Sequence, residues 1–237
     1  MWRVDHPRVP DSPPAAGNGL RAAMTLILFG VLVTLVASLL LSSIGLAGER
    51  WDGGGKDDNW TTGENWNTTP TIPPQIPPPN DGTADIVMAG AVGLTPRVDV
   101  DWNINSLTFN TTAGGFSISG DPGVSLGVGA GGITNSDTQL QILLLPIGLN
   151  ASQTWNASAG PLSIGNTVAG HLLLTRTLTL DGPNNIQLAG AITQAVALNK
   201  TGTGILTFNG LNTNSYTGTT TVSAGTLALG RTGGANR

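Results

Sequence analysis

Two carboxylates set two residues apart, Asp99 and Asp101, are the first place in this 237-residue sequence to look for chemistry. In an extended strand Val98-Asp99-Val100-Asp101-Trp102 both would project from one face. Paired carboxylates can share acid and base roles in glycoside hydrolysis. That chemistry also needs a cleft and usually a glutamate, and Glu stands only at positions 49 and 64. The pair therefore reads as an outward couple on a strand. Asp57, Asp58 and Asn59 offer oxygens of the kind Ca2+ takes, but their spacing is not D-x-D-x-D-G and no G-G-x-G-x-D array follows, so a solvated turn is the better reading. Residues 127–132, GVGAGG, lack the Lys-Ser/Thr of a phosphate loop. His171 stands alone beside Leu172 and reads as a surface residue. Arg97, Arg176 and Lys200 are too scattered to join carboxylates in a uronate-cleaving site. With no Cys and two His, the chain has no disulfide, thiol nucleophile or Cys-ligated metal site, and a His-rich metal site is not expected. No cofactor is expected.

Aromatics are the next chemistry-bearing group. Trp51, Trp60 and Trp66 lie in W-D-G-G-G-K-D-D-N-W-T-T-G-E-N-W-N, residues 51–67. The favoured reading is an end cap that covers a sheet edge. The alternative is a carbohydrate contact, with the three indoles stacking on sugar rings.

The elements that must position these groups follow from composition. Charged residues make up 10% of the chain, aromatics 5%, and the net charge is −4. So few basic groups cannot neutralise a run of phosphates, which excludes a nucleic-acid partner. Helix formers are scarce beyond the first fifth of the chain, which excludes a helical bundle. Residues 1–23 are polar and Pro-rich with no periodicity, and are expected to be disordered. Residues 24–47, MTLILFGVLVTLVASLLLSSIGLA, carry no charge. Arg21 before them, with Gly45 and Ala47 near their end, fits a secretory signal; their length also fits an uncleaved transmembrane helix. Either one exports the rest. Residues 48–67 form the Trp/Gly-rich cap. Residues 68–82, with six prolines, form a linker or loop. Residues 83–237 form the body.

The body reads as all-β. Apolar residues recur at i and i+2 between Gly, Asn, Asp and Thr: Leu107/Phe109, Phe116/Ile118, Val124/Leu126, Leu140/Ile142, Leu162/Ile164, Leu172/Leu174, and on through Leu178/Leu180, Ile186/Leu188, Val196/Leu198, Leu206/Phe208 and Leu227/Leu229. Period two puts each pair on one strand face, and turn residues at short intervals divide the strands. A sandwich core needs more large residues than this stretch supplies. A solenoid needs only a few aliphatic residues per coil, with Thr and Asn in ladders outside. About eight coils at the strand spacing would make a rod of roughly 35–45 Å. Arg176, on the Leu face between Leu174 and Leu178, is expected to be carried outward by a turn or bulge.

Residues 199–230, NKTGTGILTFNGLNTNSYTGTTTVSAGTLALG, form the clearest unit: strand, turn, short strand, turn, strand. The pattern K-x-G-x-G-x-L-x-L-x-G, N-x-Y-x-G-x-T-x-V, G-x-L is met by Lys200, Gly202, Gly204, Leu206, Phe208, Gly210, Asn214, Tyr216, Gly218, Thr220, Val222, Gly225 and Leu227. Phe208 replaces the usual small aliphatic. Tyr216 is expected at a corner with its hydroxyl towards solvent. This unit resembles the passenger-associated transport repeat of autotransporters. The resemblance implies a right-handed parallel β-helix displayed on a bacterial surface, with glycines at corners, aliphatics inside and no catalytic residue. Autotransporters also carry a membrane β-barrel, and no barrel-type strands follow the repeat in this sequence.

The sequence thus points to an exported, non-enzymatic structural or adhesin-like protein at the cell surface, outer-membrane associated or secreted, or else anchored in the inner membrane through residues 24–47. Its expected partners are surface glycans or other cell-surface proteins. A polysaccharide-active or carbohydrate-binding β-helix is the rival reading.

Overall fold

A computed structural model describes residues 49–67, 76–170, 176–194 and 196–230. The apolar stretch 24–47, His171, Leu172 and Leu174 lie outside the described residues.

The chain enters through β1 (Glu49–Trp51), a short 3-10 turn (Gly63–Asn65) and β2 (Trp66–Asn67), and reaches the body at β3 (Asp85–Gly90). It then winds through about six coils. The first holds β4 (Arg97–Val98) and β5 (Trp102–Ala113), the second β6 (Ser117–Gly120) and β7 (Leu126–Asn135). The third holds β8 (Gln141–Leu144), β9 (Ile147–Leu149) and β10 (Gln153–Asn156), and the fourth β11 (Leu162–Ile164), β12 (Val168–Gly170) and β13 (Arg176–Asp181). The fifth holds β14 (Ile186–Leu188), β15 (Ile192–Thr193) and β16 (Val196–Lys200). The sixth holds β17 (Ile205–Phe208) and β18 (Thr220–Val222), and β19 (Thr226–Leu229) follows.

Every strand from β3 onward pairs in parallel with the strand one coil away, so the fold is a parallel β-solenoid with almost no helix. Three faces result. The first stacks residues 102–104, 126–128, β9, β12 and β15. The second stacks β1, β3, the later halves of β5 and β7, and then β10, β13, β16 and β18. The third stacks β4, β6, β8, β11, β14, β17 and β19. β5 and β7 cross from the first face to the second without a break, and their register shifts between Ile104 and Ser106 to make that corner.

Alternation makes the core. On the second face Leu107, Ile133, Trp155, Leu180 and Lys200 stack in register, facing in. On the third, Leu162, Ile186 and Leu206 do the same, with Ile164, Leu188 and Phe208 beside them. The apolar pairs expected inside lie inside at β5, β6, β11, β13, β14, β16 and β17. Buried amides close the corners. Asn135 donates to the carbonyls of Gln139 and Pro161, both at 2.9 Å. Gln153 donates to Val128 O at 2.8 Å and accepts from Trp155 Nε1 at 2.9 Å. Burial of such amides is tolerable because these bonds replace water.

Four expectations are corrected. The coils number about six, not eight, because successive apolar pairs fall on different faces of one coil. Leu140 and Ile142 do not face in: Gln141 and Leu143 are buried, and Leu140 is exposed. The run Leu140–Leu145 is apolar on both strand parities apart from Gln141, so period two could not choose its face. The choice is made by Gln141, whose amide accepts from Phe116 N at 2.9 Å and donates to Gly114 O at 3.0 Å; a one-residue slip would break both bonds. Arg176 is not bulged outward; it pairs with Val196 in register and is half-buried at the start of β13. Asp99 and Asp101 do not share a strand, because β4 ends at Val98 and both lie in the corner before β5.

Among the described residues Gln194 is the one non-glycine with positive φ, at 67°. A left-handed conformation costs a side chain with a Cβ about 1–2 kcal/mol, and the buried Gln194 Oε1 has no hydrogen-bond partner. Gln194→Gly should therefore stabilise the protein, by about 0.5–1 kcal/mol once the greater chain entropy of glycine is subtracted. A rise in the urea midpoint at unchanged m-value checks it; a fall would show that the side chain contributes packing that outweighs the strain.

Candidate functional site

The tryptophans build the first end of the solenoid. β1 adds to β3 in parallel, and β2 adds to β1 in antiparallel register with Trp51 opposite Trp66. On the third face Trp60 N donates to Arg97 O at 2.9 Å and Arg97 N to Asp58 O at 2.8 Å. Trp51, Trp60 and Trp66 are all 0% exposed. Their rings meet edge to face, Trp51 to Trp66 at 5.1 Å and Trp60 to Trp66 at 5.3 Å, and Trp60 meets Trp102 at 5.8 Å. This is the preferred aromatic geometry. Trp66 Nε1 donates to Trp60 O at 2.8 Å, and Trp51 Nε1 to Gly93 O at 2.9 Å. No indole face is open, so stacking on a sugar ring has no surface here. What the sequence could not show is that these rings pack against one another.

The acidic groups are each held by a separate turn. Asp99 accepts from Thr61 N at 3.1 Å and from the Thr61 hydroxyl. Asp101 accepts from Ser125 N at 2.8 Å and Ser125 Oγ at 3.1 Å. The two carboxylates thus serve opposite neighbours, one towards the tryptophan end and one towards the next coil. Asp57 accepts from Asn59 N at 3.1 Å, and the Thr62 hydroxyl, foremost among its partners, holds its pKa below the usual aspartate value. Asp58 accepts from Thr95 Oγ1 at 3.0 Å. Among the described residues no three His, Cys, Asp or Glu groups converge as metal ligands.

The repeat residues form the last full coil. Lys200 occupies an inward position of β16, between Leu180 and Val222, and is buried. Its Nζ donates to Gly202 O, and also to Ala224 O at 3.4 Å. The lysine therefore ties the corner after β16 to the corner one coil further on. The glycines are needed because backbone lies against backbone there. A Cβ on Gly202, Gly204 or Gly218 would overlap carbonyl oxygens of Gly182, Asn184 or Val196. Gly210 and Gly225 turn with φ of 96° and 69°. Leu206 and Phe208 are buried; Leu227 is partly buried against them; Val222 is 45% exposed, in the last coil. Asn214 is buried and accepts from Ile192 N at 2.9 Å. Tyr216 packs against the core, and its hydroxyl meets Thr220 Oγ1 at 2.6 Å, so it closes a local turn as well as facing solvent.

Burial lowers the Lys200 pKa, and the nearby Asp181 charge opposes this in part. In the window just below the ordinary lysine value of about 10.4 the unfolded chain keeps a proton that the folded chain has begun to release. Stability should therefore rise with pH through that window, after being depressed at all lower pH. Lys200→Met removes this group, so its urea midpoint should lack the alkaline rise seen in the parent. Parallel pH profiles of the two proteins would refute the assignment.

The second face carries a shallow groove lined by Ala130, Ser152, Gln153, Thr154, Thr177 and Thr179. Its hydroxyls are outward members of the Thr/Ser ladder, and among the described residues no charged or aromatic group lines it. The sequence reading anticipated such ladders but not this concavity. It forms where β7 bends at Gly131 and Gly132, and glycine is needed at 132 because its φ is 69° and a Cβ would overlap Thr154 O.

Residues 198–229 match the family model of the passenger-associated-transport-repeat. This match and the parallel β-solenoid together fit an autotransporter-associated repeat protein. No curated protein and no solved structure matches the chain. The repeat family implies an exported, cell-surface protein, and among the described residues no helix is long and apolar enough to cross a membrane.

Proposed function

We propose that this chain is an exported, passenger-like structural protein whose solenoid acts as a rigid, non-catalytic spacer and adhesive surface outside the cell. The observation that carries this reading is the repeat coil itself: its lysine, glycines, asparagine and tyrosine all bond or pack within the stack. Asp99 and Asp101, the paired carboxylates, are likewise engaged in separate turns. The resemblance to the passenger repeat implies right-handed winding, the hand that parallel β crossovers favour. Export would proceed through residues 24–47, as a cleaved signal or a retained anchor. Fractionation of cells expressing the full chain, with mass spectrometry of its amino terminus, tests this. A start near Gly48 outside the cytoplasm supports a cleaved signal, and an intact Met1 in the membrane fraction supports an anchor. Soluble cytoplasmic protein with an intact start would overturn the proposal.

The hydroxyl-lined groove favours a second reading, weak binding of neutral glycans repeated along the face. Under it, Thr154→Val with Thr177→Val should abolish retention on a neutral polysaccharide resin while leaving the melting temperature within a few degrees of the parent. Unchanged retention would sink it.

A further inference from the structure

Position 209 falls in a gap of the repeat pattern. The pattern sets Leu206, Phe208 and Gly210 and leaves the residue between Phe208 and Gly210 open, so Asn209 belongs to this chain and not to the repeat. Asn209-Gly210 is the one Asn-Gly pair among the described residues. The fold then holds the glycine in place. Gly210 has φ of 96°, and a Cβ there would overlap Ala189 O one coil back, so the position is closed to other side chains. The pair opens the long corner 209–219 between β17 and β18, where Leu211, Asn212 and Thr213 are exposed. Its carboxamide is untied: Asn209 is half-buried, and its buried Oδ1 has no hydrogen-bond partner. The side-chain amides of Asn65, Asn135 and Asn184 are instead each fixed by two backbone carbonyls. Asp52, Asp81 and Asp181 also precede glycine, but a carboxylate is a much poorer electrophile than a carboxamide.

We propose that Asn209 is a site of spontaneous deamidation, a covalent modification that needs only water and loosens the last coil. The Gly210 nitrogen, with no neighbouring Cβ to screen it, attacks Asn209 Cγ and forms an N–Cγ bond. The Cγ–Nδ2 bond breaks, the proton of the Gly210 nitrogen passes through solvent to the leaving group, and ammonia departs. Water then opens the cyclic imide at either carbonyl, leaving a normal or a β-linked aspartyl residue at position 209. Both products place a carboxylate where the buried Oδ1 has no donor, and burial of an unpaired charge is costly. The β-linked product also adds a methylene to the main chain between two fixed points. Asn209 N donates to Leu188 O at 3.2 Å, and Gly210 lies against Ala189 O. The longer chain cannot keep both contacts, so the corner lifts from the coil beneath it. The effect stays near the end of the stack because coils touch only their neighbours. This proposal does not depend on where the protein resides.

Full-length protein kept folded in mildly alkaline buffer and sampled over days by peptide mass spectrometry tests this. Position 209 should show the one-dalton gain several-fold faster than Asn212, which is exposed in the same corner but precedes threonine. That comparison needs no variant. Amide exchange in β17 and β19 of the modified fraction should accelerate, with β10 and β13 unchanged. Asn209→Ser protein should keep its exchange rates through the same incubation. Reaction at 209 in urea but none in the folded protein would overturn the proposal, by showing that the fold holds the pair away from the reactive geometry. So would equal rates at 209 and 212, a modified fraction with unchanged exchange, or an Asn209→Ser chain that loosens on the same schedule.

Discussion

Trp66→Ala should remove about 3–5 kcal/mol of stability, the range for deleting a fully buried aromatic, from a total of about 5–15 kcal/mol. The indole is 0% exposed, contacts Trp51 and Trp60 edge to face, and bonds the Trp60 carbonyl. Its loss opens a cavity and leaves that carbonyl without its donor. The effect should also be local. Coils of a solenoid touch only their neighbours, so stability is a sum of coil and interface contributions. Amide exchange should accelerate in β1, β3 and the first part of β5, while β13 and β16 keep their protection. A uniform loss across all coils would show that the stack melts as one unit and that the tryptophan end holds no separate share.

Gly190→Ala should be more damaging than its single methyl suggests. A Cβ at Gly190 would overlap the carbonyl carbon and oxygen of Asn166, one coil away. The coil spacing there is pinned on both sides, by Ala189 N to Ile164 O at 2.8 Å and by Val168 N to Ala191 O at 2.8 Å. Neither backbone can retreat without giving up ladder hydrogen bonds. A loss of about 3 kcal/mol or more is expected, at or beyond the usual range for overpacking. Gly148→Ala is the internal comparison: its nearest neighbour would be Gly127 Cα at 3.6 Å, an ordinary contact, so it should change stability by less than about 1 kcal/mol. Equal urea midpoints for the two variants would contradict the steric argument.

These two sites differ in how legible they were. The tryptophan spacing in residues 51–67 marks the end segment in the sequence, because so few aromatics occur elsewhere. Gly190 carries no such mark, since its constraint comes from Asn166, and only stacking brings the two together. The repeat coil was legible for a related reason. Its glycines, lysine and aliphatics answer a local pattern, and seven of the expected apolar pairs face inward where alternation put them. β8 was misread because alternation says nothing when both parities are apolar.

The sequence by itself determined that the body is β, that its strands are short, and that residues 199–230 form a repeat unit, because period-two patterning and turn chemistry act within a few residues. Tertiary structure alone decided which residues meet across coils. It separated Asp99 from Asp101 by ending β4 at Val98. It buried the Lys200 ammonium against the Gly202 and Ala224 carbonyls, and it turned the Leu140–Leu144 row outward through the bonds of Gln141. Each of those outcomes depends on contacts between residues about 20–27 positions apart or on the side of the stack a corner faces. The winding of the coils sets both, and no local pattern encodes them.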